Sequence, residues 1–150
     1  MKSVFLENDV QEVLARINKL SPDSKAVWGK MNPAQMLAHC NVTYEMAYED
    51  KHKKPNFFVK FMLKLAVKKA VVGPKPYPKN SPTAPQFKVP AQKDFEAEKK
   101  RLIDYINKTK DLGAAHFEGK ESHSFGPLNK DEWNAMFYKH LDHHLTQFGV

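Results

Sequence analysis

Two histidines near the end of the chain, His140 and His144, have the spacing of a metal-binding pair. Residues four apart on a helix project from one face, one turn apart, so their two imidazoles can bind a single ion. His143 follows His140 by three residues, which is also a helical spacing, so it competes with His144 for the second position. Because two ligands do not complete a metal site, another part of the chain must supply a third.

The pair falls in the second half of a predicted helix. Asn129 followed by Glu132 has the pattern of a capping box, which marks a helix start. The predicted inward face contains residues at helical spacing, namely Trp133, Met136, Phe137, His140, Leu141, His144 and Phe148. Both spaced histidines therefore face the interior in this prediction.

An earlier helix is predicted to begin in the same way. Asn32 can cap it, Pro33 suits its first position, and Gln35 completes the capping pattern. We expect this helix to continue towards Asp50, with His39 on or beside its inward face. Facing helices commonly build metal sites from such inward side chains, so His39 is the candidate for the third ligand.

Three nitrogen ligands with an open position describe a catalytic type of site, whereas structural zinc sites are closed by four ligands. The plain alternative is that an exposed histidine pair is solvated and that His39 is a hydrogen-bonded core residue. Spacing alone leaves both interpretations open.

The other predicted elements complete an all-α chain of four main helices plus a shorter one. They are a first helix from about Asp9 to Leu20, a shorter helix from an Asn56 cap to about Val72, and another long one from about Gln92 to Lys110. Six prolines mark a long extended connection from Pro74 to Pro90, and residues 111–124 are predicted to be irregular. No segment predicts a strand.

Length and composition indicate one globular domain, residues 1–150, with 41% hydrophobic and 27% charged residues. The single cysteine, Cys40, excludes an intrachain disulfide and favours a reducing compartment. Residues 1–9 do not have the pattern of a signal peptide, and no apolar run has the length of a membrane span. We therefore expect a cytoplasmic protein.

The net charge of +7 is concentrated in one segment. Nine lysines and no acidic residue lie between Lys51 and Lys79, and the rest of the chain has a net charge of −2. The favoured interpretation is a solvated helix face whose lysine stems cover apolar surface. Contact with an anionic substrate or partner and a membrane-surface helix are alternatives. Nucleic-acid binding ranks last, because the segment has no known reading motif.

Three stretches resemble a known family in the same order along the chain. They are Trp28–Cys40 (WGKMNPAQMLAHC), Pro78–Pro85 (PKNSPTAP), and the C-terminal residues from His123 onwards, with HSFGPL, Trp133 and HLDHHLTQFG. Together they resemble the DinB-like superfamily, and more narrowly its DUF1569 branch of bacterial proteins.

The resemblance implies an up-down-down-up four-helix bundle with a long proline-rich connector, often a homodimer. It also implies a divalent metal ion, zinc, nickel or iron, held by His39, His140 and His144, with Gln147 in the superfamily's His-x-x-Gln pattern. That pattern favours His144 over His143, which then lies about 100° off the face, at the surface or in a supporting role. His123 could support the pocket or carry a proton, or it could be a surface histidine.

Two kinds of function follow from these expectations. The first is a metal-dependent enzyme, either a thiol-dependent transferase or isomerase, as among superfamily relatives, or a hydrolase. The second is a non-catalytic dimeric module that binds a metal or a small ligand. Residue types alone do not identify the metal, since three imidazoles suit several divalent ions.

Overall fold

The computed structural model describes residues 1–90 and 92–150 and is mostly helical. Within this part of the chain the α-helices are α1 (Glu7–Asn18), α2 (Pro33–Tyr48), α3 (Phe57–Ala66), α4 (Lys68–Val72), α5 (Phe95–Phe117) and α6 (Lys130–Gln147). A single 3₁₀ turn spans Pro85–Phe87, and two short strands, β1 (Lys120–Ser122) and β2 (Gly126–Leu128), pair antiparallel.

Three predicted helix starts are confirmed. Asn32 accepts a hydrogen bond from the backbone N–H of Gln35, whose side chain accepts one from the Asn32 N–H. Asn129 and Glu132 form the same reciprocal pair at the start of α6. Asn56 caps α3. The caps at Asn32 and Asn129 fix where α2 and α6 begin. They therefore also fix the positions of His39, His140 and His144 along these helices.

Four long helices share one core. α2 and α1 each pack against α5 and α6, and α5 packs against α6. Aromatic rings fill the centre: Tyr44 of α2 stacks on Phe137 of α6 with 4.7 Å between ring centroids, and Phe117 of α5 meets Phe137 edge-on at 5.7 Å. This packing holds α2 and α6 side by side, which is the arrangement that the site requires.

The prediction of a chain without strands is wrong in one region. α5 continues to Phe117 through a kink at Gly113, where φ is +72°, and the chain then forms the β1–β2 hairpin. Ser122 closes the hairpin, because its hydroxyl donates to the Gly126 carbonyl at 2.8 Å and accepts from the Phe125 N–H at 2.9 Å. Strands of three residues are too short for an alternating pattern to reveal them.

The predicted helix from Asn56 to Val72 is broken. α3 ends at Ala66 and α4 begins at Lys68, with Val67 (φ −113°, ψ −33°) between them. Beyond this point α4 is tied to α6, since the Lys139 ammonium donates to the Ala70 carbonyl at 2.8 Å and to the Gly73 carbonyl at 2.6 Å. These bonds satisfy carbonyls at the end of α4 and draw it towards α6.

The connection after α4 has extended backbone around its 3₁₀ turn, in agreement with the proline pattern. As the sequence led us to expect, none of the helices within residues 1–90 and 92–150 combines the length and apolarity that crossing a bilayer requires.

We expect the loss of free energy of unfolding to differ between substitutions at two of these caps. Asn129→Ala should lower the free energy of unfolding by about 1 kcal/mol, because α6 is central to the core. Asn56→Ala removes an equivalent cap but should cost clearly less, because no residue of 57–66 is buried. Urea unfolding followed by circular dichroism measures both, and equal losses would contradict the prediction.

Candidate metal centre

The structure brings His39, His140 and His144 together between α2 and α6. Their candidate ligand atoms lie within 4.8 Å of one another, with His39 and His144 buried and His140 half-buried. The Nε2 atoms of His39 and His140 are 2.9 Å apart. Two nitrogens bound to one ion at about 2.0–2.1 Å lie at most about 4.2 Å apart, so this separation fits a shared ion.

The imidazole of His39 is oriented by the connection. Its Nδ1–H donates to the Phe87 carbonyl at 2.9 Å, and a carbonyl oxygen can only accept. In the neutral ring the proton is therefore on Nδ1, and Nε2 carries a free lone pair that faces His140. In histidines that bind metals, the ring nitrogen that is not a ligand typically donates a hydrogen bond of this kind.

The orientation of His144 depends on a chain of two hydrogen bonds. The Gln147 amide N–H donates to the Trp28 carbonyl at 2.8 Å, which turns its Oε1 towards Nδ1 of His144, also at 2.8 Å. Nδ1 of His144 must therefore be the donor, and its Nε2 keeps the lone pair. Glycine at position 29 leaves space for these two hydrogen bonds, because a Cβ there would lie 2.4 Å from the Gln147 amide nitrogen. Its φ of +83° is also a conformation that favours glycine.

The hydrogen-bond partner of His140 is a hydroxyl, which can either donate or accept a hydrogen bond. Nδ1 of His140 is 2.9 Å from the hydroxyl of Thr43, one turn after His39 on α2. When His140 donates from Nε2 to His39, Nδ1 accepts from the hydroxyl; when Nε2 binds an ion, Nδ1 donates to the same oxygen. A hydroxyl serves both states because it carries one donor and two acceptor positions.

Burial keeps the three rings uncharged. Loss of solvation lowers the pKa of His39, lowers that of His140 well below its ordinary value, and lowers that of His144 to about 3. At neutral pH the imidazoles are therefore neutral, which is the form that binds a metal.

A large cavity of about 790 Å³ borders all three histidines. Its walls come from α2, α3, α4, α6, the connection and the β1–β2 turn, and most of its lining is apolar, with Met46, Leu63, Val71, Phe87 and Met136 among the residues that contribute. A site at its edge is open to a small molecule while the surrounding apolar residues limit access of water.

The other candidate residues lie around the same cavity. His123 lines it, with Nε2 3.3 Å from the His52 carbonyl and Nδ1 2.9 Å from the Ser124 hydroxyl. His143 lies outside the cluster of three, half-buried beside Tyr77 and Trp28, whose ring centroids are 5.6 and 5.9 Å from its own.

Both tryptophans border the cavity, but in different ways. Trp133 is a core residue whose indole donates to the Lys120 carbonyl at 3.3 Å. Trp28 is half-buried, and Lys79 lies 4.5 Å above its ring. Cys40 is buried in the core and does not line the cavity, and burial raises the pKa of its thiol.

Of the groups that the histidines bond to at Nδ1, the sequence pointed only to Gln147, through the family resemblance. Thr43 could have been found, because it follows His39 by four residues and so shares its face. The Phe87 carbonyl and the Gly29 clearance could not, since backbone groups distant in sequence leave no periodic signal.

Thr43→Val should weaken metal binding about 10–100-fold, the usual effect of removing a hydrogen-bond partner of a ligand. Val has nearly the same shape, so the ring loses its partner and little packing. Titration of Zn²⁺ against a competing chelator gives the affinity. Thr109→Val, a buried threonine bonded to Tyr105 and Tyr48 at a distance from the site, is the matched control. An affinity unchanged in Thr43→Val would contradict the assigned role.

Comparison with known proteins gives one match. No curated protein and no solved structure matches the chain. Residues 5–149 match a family described as "Protein of unknown function (DUF1569)". This match covers nearly the whole sequence, including His39, His140, His144 and the connection that orients His39. The chain belongs to the DUF1569 family.

Proposed function

We propose that this protein binds a divalent metal ion, zinc, nickel or iron, through Nε2 of His39, His140 and His144, and uses it in catalysis. One observation carries the proposal: all three Nδ1 atoms are hydrogen-bonded, at 2.8–2.9 Å, to groups on the protein. Core histidines are also hydrogen-bonded, but here three oriented and neutral imidazoles also have their candidate ligand atoms within 4.8 Å of one another, which is the donor set of a catalytic site.

An ion held by three histidines supplies a Lewis acid that can lower the pKa of a thiol or a water and polarise a substrate. The protein supplies the rest. Gln147, Thr43 and the Phe87 carbonyl orient the ligands, and the apolar cavity binds the organic part of the substrate and limits access of water.

Thiol transfer or isomerisation is favoured over hydrolysis. Among the described residues that line the cavity there is no Asp or Glu, and metal-dependent hydrolases commonly use a carboxylate as general base. A thiol loses its proton readily and needs a weaker base. His123, held by the His52 carbonyl and the Ser124 hydroxyl on the cavity wall, is the candidate to exchange that proton.

The same lack of a carboxylate supports a second candidate function. A cavity without a strong base also suits a non-catalytic module that binds a metal together with a small apolar ligand. The two candidates share the metal centre and differ only in turnover.

We further propose that the DUF1569 chain has the DinB-like four-helix bundle with up-down-down-up order, formed by α1, α2, α5 and α6. In that order the second and third helices run parallel and need a long connection, which residues 49–94 can provide. The superfamily resemblance also supports a homodimer and a single domain of residues 1–150, and the single free cysteine supports a cytoplasmic location.

Metal content tests the centre. We expect about one divalent ion per chain in the wild type and a loss of most of it in His144→Ala, because two imidazoles hold an ion weakly. His143→Ala is the matched control, since it removes the neighbouring histidine that lies outside the cluster. Elemental analysis of the purified proteins measures all three, and equal metal in wild type and His144→Ala would refute the site.

Turnover separates the two candidate functions. Metal-loaded protein, with glutathione or bacillithiol and a panel of small apolar electrophiles, should consume thiol faster than the spontaneous reaction, and His144→Ala should abolish the difference. The assay follows free thiol against time. Full metal content with no acceleration across the panel would favour the non-catalytic module.

A further inference from the structure

Helix α3 turns its apolar side chains towards solvent. Phe57 is 87% exposed, Phe58 70%, Leu65 66%, Phe61 50% and Met62 46%. At 100° per residue these five side chains span one continuous face of the helix. Such a face on a monomer marks an interaction site, because soluble proteins rarely expose contiguous apolar patches of this kind. We call these five residues the α3 outer face.

Contacts on the other side of α3 orient the helix so that this face is exposed. α3 is capped by Asn56, and its inner residue Leu63 lines the cavity. Lys60 forms an ion pair with Glu121 of β1, and Lys68 forms one with Glu132 of α6 at 2.7 Å. The sequence has lysines at every fourth position, Lys60, Lys64 and Lys68, which predicts a solvated stripe. Two of these three lysines turn towards the protein, and the apolar face turns away from it.

Exposed lysines flank the α3 outer face along the chain. Lys53, Lys54, Lys64 and Lys69 are exposed, and the segment 51–79 contains nine lysines and no acidic residue. Within residues 1–90 and 92–150 neither Lys64 nor Lys69 forms an ion pair, so both charges are available to a partner. A second copy that placed its own α3 against this face would bring two such segments together, and their repulsion disfavours that contact.

We propose that the α3 outer face docks on an anionic membrane surface. Helices with Phe and Leu on one side and lysines beside them lie in the headgroup region, where apolar side chains enter the acyl boundary and lysines meet lipid phosphates. A bilayer is the partner that accepts both features at once. The face is on the opposite side of α3 from the cavity, so docking leaves the histidines free.

Vesicle binding tests the proposal. The wild type should cosediment with vesicles of about 30% phosphatidylglycerol in phosphatidylcholine, and less with pure phosphatidylcholine. Phe57→Ser/Phe58→Ser should weaken binding at least about tenfold, because it removes the two most exposed rings. Leu6→Ser/Val27→Ser is the matched control, since these residues are 60% and 70% exposed elsewhere on the surface. Lys64→Glu/Lys69→Glu should weaken binding to anionic vesicles and provides a second variant if the first fails to fold.

Three results would overturn the proposal. They are no binding by the wild type, equal binding by wild type and both α3 variants, and a wild-type dimer that Phe57→Ser/Phe58→Ser converts to a monomer. The last result would assign the face to a second copy. The assay needs neither metal nor turnover, so its outcome is independent of the proposed function.

Discussion

Three hydrogen bonds at histidine Nδ1 atoms set the chemistry of this protein's candidate metal centre. The Phe87 carbonyl, the Thr43 hydroxyl and the Gln147 amide each fix one ring. Because Nδ1 is used in every case, Nε2 is the atom left for a ligand, and burial keeps the rings neutral. Without these partners the rings would be free to rotate, and the Nε2 atoms would not be held towards a shared ion.

The rest of the fold positions the groups that form these three hydrogen bonds. Capping boxes set where α2 and α6 begin, and the aromatic core holds the two helices side by side. The proline-rich connection, which has little regular structure, returns over the site to supply the Phe87 carbonyl and part of the cavity wall. Gly29 permits the contact between Gln147 and Trp28 that orients His144. A loop of this length in a compact protein is usually functional, and here its backbone contacts explain why.

Helix α3 shows how a periodic pattern can be assigned to the wrong side. The longer helix predicted from Asn56 to Val72 has lysines at every fourth residue, Lys60, Lys64 and Lys68, which predicts a solvated stripe opposite the apolar residues. In the structure Lys60 and Lys68 are paired with Glu121 and Glu132, and Phe57 and Phe58 face solvent. The hydrophobic pattern identifies two faces of a helix but not which face meets the protein, since that depends on charges contributed by distant segments.

The sequence by itself determined the mostly helical fold, the three caps and the shared helix face of His140 and His144, because each depends on spacing within one helix or on a short local motif. The family resemblance, not the spacing, grouped His39 with this pair and placed His143 off its face. Tertiary structure alone decided the break at Val67, the β1–β2 hairpin, the orientation of α3 and the backbone carbonyls that orient His39 and Gln147. Those features arise from contacts between residues far apart in the chain, such as His39 with the Phe87 carbonyl. A periodic pattern within one segment does not predict such contacts.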